Sequence, residues 1–285
     1  MRPAQSKPAV LVLSSQVGRG AIGGSAASFA LQRMGFPVWF LPTIILPFHP
    51  GHGPVTRILP DTESFSAALD DVLKSSWTDE IGAVLAGYLG DPVQAHVIAE
   101  FIAELKRSHP TLTVMCDPVI GDSVGAYVPQ AVFEAQRDVL LPLADIATPN
   151  RHELALLTEG TPTSNSDLVT LARRLDAGTV AVTSAFAGEG RTGTLLVEED
   201  AAFLAENETV EHAPHGTGDL FSALLLAHRL DGRDNAEALS AATSSLVDVL
   251  ACSVAAGSDE MLTVAAQEAL VRPIAVIPTI QLPAK

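Results

Sequence analysis

The sequence predicts an α/β protein of three layers, with a mainly parallel central sheet and helices on both faces. Three observations carry this. Short apolar runs alternate along the chain with longer stretches of helical periodicity. Glycine and proline punctuate many of the junctions. No linker rich in Pro, Gly or Ser interrupts the 285 residues, so residues 1–285 read as a single domain.

The elements follow in order. AVLVLS, residues 9–14, is a buried strand. A glycine loop leads into a helix over 24–34, and Gly35 stops it. VWFL, 38–41, is a second strand, and SFSAALDDVLKS, 64–75, an amphipathic helix. GAVLAGYLG, 82–90, is a strand running into a loop, and Pro92 opens a helix that reaches Lys106. LTVMCDPVIG, 112–121, and DIATPN, 145–150, are strands with polar ends, the second followed by a helix from Arg151. TVAVTS, 179–184, is another strand. Residues 193–199 and 201–206, joined by Asp200, form a hairpin. Helices over 216–230 and 235–256 precede a short tail. Parallel sheets place ligands beyond the carboxyl ends of their strands. The loops after Leu13, Leu41, Ala86, Cys116, Ala147 and Val182 are therefore one candidate surface.

Composition narrows the function. Hydrophobic residues make up 47% of the chain, enough for a sizeable core. A net charge of −16 repels nucleic acid and anionic membranes, which sets both aside as partners. Cys116 and Cys252 are the two cysteines and form no C-x-x-C pair, which fits a reduced, cytoplasmic setting. The first apolar run is too short for a signal peptide, and no run approaches the roughly 18 residues of a membrane span.

The stretch LVLSSQVGRGAIGGSAASFALQRMG, 11–35, places Gly18, Gly20 and Gly23 in a G-x-G-x-x-G match between strand and helix. A dinucleotide site needs an acidic residue roughly 20 positions further on. From Gly24 to Pro60 there is no Asp or Glu, and FLPTII offers no Arg for a 2′-phosphate. This disfavours a dinucleotide site, and two other readings stand beside it: glycines that pack a helix on a strand, or a loop that receives a different substrate.

The strongest signal is APHGTGDLFSALLLAHRL, 213–230. Gly216 and Gly218 bracket Thr217 where an apolar helix begins. Backbone N–H groups converge there and the helix dipole adds positive charge, making an anion hole. Asp219 lies in the first turn. An Asp at a helix start can be a plain charge–dipole contact. Beside an anion hole it has a second use, because phosphoryl transfer needs donors for the phosphate and an acceptor for the proton of the attacking hydroxyl.

GTGD before an apolar helix resembles the anion-hole motif of the ribokinase-like superfamily. The N-terminal half is similar to its pyridoxal kinase branch. SQVGRGAIG, 15–23, matches S-x-V-x-x-G-x-x-G. Gly87 and Tyr88 match its GY loop. Asp117, Pro118, Val119 and Gly121 match DPV-G, and Pro149, Asn150 and Glu153 match PN-x-x-E. The blocks occur in order from Leu11 to about Leu230.

The resemblance implies a ribokinase-like fold and transfer of the γ-phosphoryl of ATP to the 5′-hydroxyl of pyridoxal, in vitamin B6 salvage. Pyridoxine and pyridoxamine are further substrates it implies. Asp219 is then the general base, and Gly216, Thr217 and Gly218 cradle the γ-phosphoryl. Ser15, Val17, Thr43, His49 and Tyr88 fall where the family contacts the pyridine ring. Asp117, Thr148 and Glu153 fall where it holds cations, Mg²⁺ and a monovalent ion such as K⁺. Asn150, Thr183 and Ser184 face the nucleotide together with Thr217. The glycine loop becomes the wall of a vitamin pocket, and a homodimer is implied.

The residues also speak for themselves. The four lysines, Lys7, Lys74, Lys106 and Lys285, lie outside every motif and there is no G-K-[ST], which excludes a P-loop kinase. Mg²⁺, helix N–H groups and Arg19 or Arg191 are left to meet the ATP charge, and the oxygens of Asp117 and Glu153 suit Mg²⁺. His49 alone reads as a solvated loop residue, Tyr88 as a strand-end residue, and Cys116 as core. His52, His152, His212 and His215 share no metal-ligand spacing, so no zinc site is expected. Two features depart from the family: PFHP puts Phe48 and Pro50 around the loop histidine, and SVG after DPVIGD implies a reduced ATP lid. The alternatives are a hydroxymethylpyrimidine or sugar-alcohol kinase, and a vitamer-binding protein without transfer activity. Asp219 weighs against the last. The absence of Asp, Glu and Asn from Leu11 to Pro60 weighs against a sugar, whose hydroxyls would need such partners.

Overall fold

A computed structural model describes residues 7–211 and 213–283. The elements are β1 (Ala9–Val17), α1 (Gly24–Arg33), β2 (Val38–Leu46), α2 (Thr62–Lys74), β3 (Ile81–Ala86), α3 (Val93–Ser108) and β4 (Thr113–Cys116). Then come β5 (Gly121–Asp122), β6 (Gly125–Ala126), α4 (Gln130–Ala135), β7 (Ile146–Ala147), α5 (Arg151–Thr158), α6 (Asn165–Ala172) and β8 (Thr179–Ala185). The chain closes with β9 (Arg191–Val197), β10 (Ala202–Glu208), α7 (Thr217–Leu230), α8 (Asn235–Ala255) and β11 (Thr279–Gln281).

The main sheet has nine strands in the order β11-β10-β9-β8-β7-β4-β3-β1-β2. Pairings from β2 through β1, β3, β4 and β7 to β8 are parallel. Those joining β8, β9, β10 and β11 are antiparallel. The mainly parallel α/β expectation holds, and so does the hairpin, which is β9–β10.

Alternation along the strands explains why they read as continuous apolar runs. Leu11, Leu13, Val84 and Ala86 point into a core shared with α2, α3, α4, α5 and α6. Val10, Val12, Ala83 and Leu85 point the other way, into a core shared with α1, α7 and α8. A strand covered on both faces has no polar side to display.

Some elements escape the sequence. β2 runs on through Pro42 to Leu46, because as the sheet edge it has a side on which a missing N–H costs no ladder bond. α4 and α6 are too short for a clear period, and α6 is started by Ser164, whose hydroxyl accepts from the Asp167 N–H at 3.2 Å. β11 is three residues of the tail, ordered by pairing with β10. α8, with 21 residues, is long and apolar enough to cross a membrane. In the sequence Ser, Thr, Glu237 and Asp248 interrupt its apolar run. Half of its apolar window is buried, and it packs on α7, β9, β10 and β11 as a core helix.

Candidate active site

The carboxyl ends of β4 and β7 bring the acidic residues together. Asp117 follows β4 and is buried. Two residues past β7, Pro149 is followed by Asn150, which caps α5: its side-chain oxygen accepts from the N–H groups of His152 (2.8 Å) and Glu153 (2.9 Å). Glu153 returns the bond, accepting from Asn150 N at 2.8 Å, and its other oxygen accepts from Ile120 N (2.8 Å) and Gly121 N (3.2 Å). The capping box thus also fixes the DPVIG loop, an arrangement the sequence shows only as PN-x-x-E. Asn150 Nδ2 adds a bond to Gly121 O at 2.8 Å. Beyond it, β5 and β6 form a short hairpin.

α7 supplies the anion hole. Gly216 has φ 94°, and a Cβ there would run into the Ala21 carbonyl. Around Gly218 the space is open. Leu220 N bonds Gly216 O at 3.0 Å, and no described residue takes the N–H of Thr217 or Gly218, which are therefore free for an anion. Ser222, one turn on and unnoticed in the sequence, shares a 2.8 Å bond with Thr148 and donates to Gly218 O at 3.0 Å. It fastens the anion hole to the end of β7.

Three raised carboxylates face this region. Burial lifts Asp117 to about 7, with the Asp219 charge adding and the Ser222 and Thr148 hydroxyls opposing. Burial lifts Glu153 to about 8, with Asp117 adding and three backbone N–H groups opposing. Burial lifts Asp219 to about 6, and the Gly23 backbone N–H pulls it partly back. The glycine loop therefore touches the proposed base through its backbone. Its glycines also pack: a Cβ on Gly23 (φ 60°) would strike Ser15, and one on Gly24 the Phe40 ring. No dinucleotide is needed to explain them.

A small third apolar cluster of Val17, Ile22, Ile44 and Leu46, flanked by Val55 and Tyr88, lies beside this loop. It joins two of the expected ring contacts, Val17 and Tyr88. Ser15 is buried behind Gly23. Thr43 has no exposed surface and its hydroxyl bonds Tyr88 O at 2.6 Å, so it positions Tyr88 and does not reach a ligand directly. Gln94 holds Thr43 O at 2.7 Å, a support the sequence does not reveal. His49 is half-buried rather than solvated. Its Nδ1 accepts from Gly51 N at 3.1 Å, and its ring centre lies 4.1 Å from that of His215. Burial and the neighbouring His215 and His52 push it down to about 4, so it is neutral at pH 7. His212 lies outside the described residues.

Thr183 and Ser184 lie near the end of β8, within its register shift against β9. Thr183 N bonds Pro149 O at 3.0 Å, and Ser184 holds φ 55°, a left-handed conformation rare for serine and concentrated at functional sites. Neither arginine is spare. Arg19 pairs with Asp259 (3.0 Å) and Glu260 (2.7 Å), and Arg191 pairs with Glu206 (3.4 Å). The sequence could not foresee these pairings, which join distant segments.

No group of three His, Cys, Asp or Glu among the described residues could by itself hold a metal ion. The donor set nevertheless fits a hydrated Mg²⁺, which takes one or two carboxylates and keeps water. Asp117 is a buried carboxylate with no basic partner among the described residues, and a cation would relieve the repulsion that adds to the effect of burial on it and on Glu153.

The sequence model of the phosphomethylpyrimidine kinase family matches residues 61–263. The chain is 33% identical over 272 residues to pyridoxal kinase PdxY of Corynebacterium diphtheriae, covering 93% of this chain and 96% of that protein. It is 36% identical over 260 residues to a pyridoxine/pyridoxal/pyridoxamine kinase of Bordetella avium, covering 89% and 88%. Pyridoxal kinase from Leishmania donovani, solved with ADP and pyridoxamine, superposes with a TM-score of 0.92 at 26% identity, over 97% of this chain and 100% of that one. With this sheet, this anion hole and these relatives, the chain belongs to the phosphomethylpyrimidine kinase family, in its pyridoxal kinase branch, and has the ribokinase-like fold.

Proposed function

We propose that the protein transfers the γ-phosphoryl group of ATP to the 5′-hydroxyl of pyridoxal, making pyridoxal 5′-phosphate in vitamin B6 salvage. The observation that carries this is Asp219 lying beside the free N–H groups of Thr217 and Gly218, with its pKa raised to about 6. A base near the working pH is mostly ionised at pH 7 yet still takes a proton readily. Asp219 accepts the hydroxyl proton as that oxygen bonds the γ-phosphorus. The bond from phosphorus to the bridging oxygen breaks, and ADP leaves with that oxygen. The N–H groups of α7 receive the charge on the equatorial oxygens.

Ser15, Val17, His49 and Tyr88 form the acceptor side, with Thr43 behind Tyr88. Neutral His49 and the apolar cluster suit an uncharged heteroaromatic ring. Asn150, Thr183 and Ser184 form the nucleotide side. Asp117, with Thr148 and Glu153, would hold Mg²⁺, which when bound neutralises phosphate charge; K⁺ is a second candidate cation there. The relatives' names and the ADP complex support the two substrates. Two free cysteines fit a cytoplasmic enzyme, and a homodimer is proposed from the family.

A second reading takes a methylpyrimidine, such as hydroxymethylpyrimidine, as acceptor; the matching family is named for kinases of a phosphomethylpyrimidine. The test is a competition assay with Mg-ATP. Higher kcat/KM for pyridoxal supports the first reading, and higher kcat/KM for the pyrimidine replaces it with the second.

A further inference from the structure

Tyr88 is held at every polar atom. Its N–H donates to Ser14 Oγ (3.3 Å), its carbonyl accepts from Thr43 Oγ1 (2.6 Å), and its phenolic oxygen accepts from Arg57 Nη2 (2.8 Å). A phenol that accepts from a guanidinium keeps its own proton for another partner, and the charged donor polarises that O–H. Arg57 is exposed and makes no ion pair among the described residues, unlike Arg19. Its segment is pinned to the sheet edge by two bonds between Ile45 and Ile58, at 2.8 and 3.0 Å. Asp117 feels the charge of Asp219, and Glu153 that of Asp117, whereas Tyr88 has a guanidinium behind its phenolic oxygen.

We propose that Arg57, acting through Tyr88, sets acceptor specificity: it favours a ring that presents an oxygen acceptor at the Tyr88 end over one that carries an ammonium or amino group. This rests on the kinase reading above. Pyridoxal offers its aldehyde oxygen as an acceptor, besides the ring hydroxyl that all the vitamers share. Pyridoxamine adds an ammonium group that Arg57 repels, and an aminopyrimidine offers a donor where a donor already stands. Arg57 is a positioning residue, since it works through the Tyr88 hydroxyl and the charge behind it. A site built to donate to an acceptor discriminates against ligands that leave the donor unpaired.

The test measures kcat/KM for pyridoxal and for pyridoxamine with Mg-ATP in the full chain, for wild type, Arg57→Ala, Arg57→Lys, Tyr88→Phe and the double variant Arg57→Ala/Tyr88→Phe. Wild type is expected to prefer pyridoxal. Arg57→Ala should shrink that preference by about tenfold, through KM rather than kcat. Tyr88→Phe should do much the same, and the double variant little more, because the two act as one unit. Arg57→Lys should restore part of the preference by keeping the charge. A merely structural role would weaken both vitamers equally and leave the ratio unchanged. That result, or a wild-type preference for pyridoxamine, overturns the inference. No turnover of any vitamer overturns the kinase reading itself, and the inference falls with it.

Discussion

Asp219 draws its properties from burial and from one neighbour that is distant in sequence. Burial raises it, and the Gly23 amide holds it low enough to ionise near neutrality. The pH dependence follows: turnover needs the carboxylate, so kcat should fall as pH drops through about 6, the value Asp219 holds in the folded chain. A pH–rate profile flat down to pH 5 would contradict this. The two glycines before Asp219 separate by a different logic. Gly216 sits at φ 94° against Ala21, so Gly216→Ala should lower the melting temperature as well as activity. Gly218 has open space around it, so Gly218→Ala should keep its melting temperature and lose turnover by raising the KM for ATP. Thermal melts beside ATP titrations of both variants decide the matter; equal destabilisation would show that Gly218 serves folding.

The loop that starts α5 is the element on which most of the acidic end depends. Glu153 spends both oxygens on three backbone N–H groups. Glu153→Gln would turn an amide nitrogen toward one of these donors. It should therefore destabilise the protein by about 1–3 kcal/mol, besides weakening its use of Mg-ATP. An unchanged melting temperature would return Glu153 to a purely cation-binding role. This element also shows where the sequence was legible. PN-x-x-E declared itself because a capping box is local, spanning Asn150 to Glu153. What Glu153 does at Ile120 and Gly121 crosses more than thirty residues and leaves no local pattern. For the same reason Gly216, Thr217, Gly218 and Asp219 could be read directly, while Ser222, Ser14, Gln94 and Arg57 could not. Strands longer than four residues were legible in their apolar runs. β7, only two residues long, was still legible within DIATPN, whereas β11, with three residues, exists through its pairing with β10.

Across the whole molecule, three carboxylates without a basic partner among the described residues make stability depend on pH and on cations. Asp117, Glu153 and Asp219 all have folded values above their ordinary ones, about 7, 8 and 6. The folded chain therefore holds protons that the unfolded chain has released. Their contribution to stability is complete below about pH 4 and is lost as pH rises towards 8. Mg²⁺ binds the ionised carboxylates, so it should raise the melting temperature more at pH 8 than at pH 5. Equal shifts at both pH values would place the cation elsewhere. The sheet order sets this charge against the N-terminus of α7, and the same folding that concentrates the carboxylates supplies the N–H groups opposite them. The central claim, that Asp219 removes the acceptor proton beside that anion hole, is tested most directly by Asp219→Asn. Single-turnover rates with pyridoxal and Mg-ATP should fall by about 10²–10⁴ while the folded variant still binds pyridoxal; a rate near that of wild type would contradict the account.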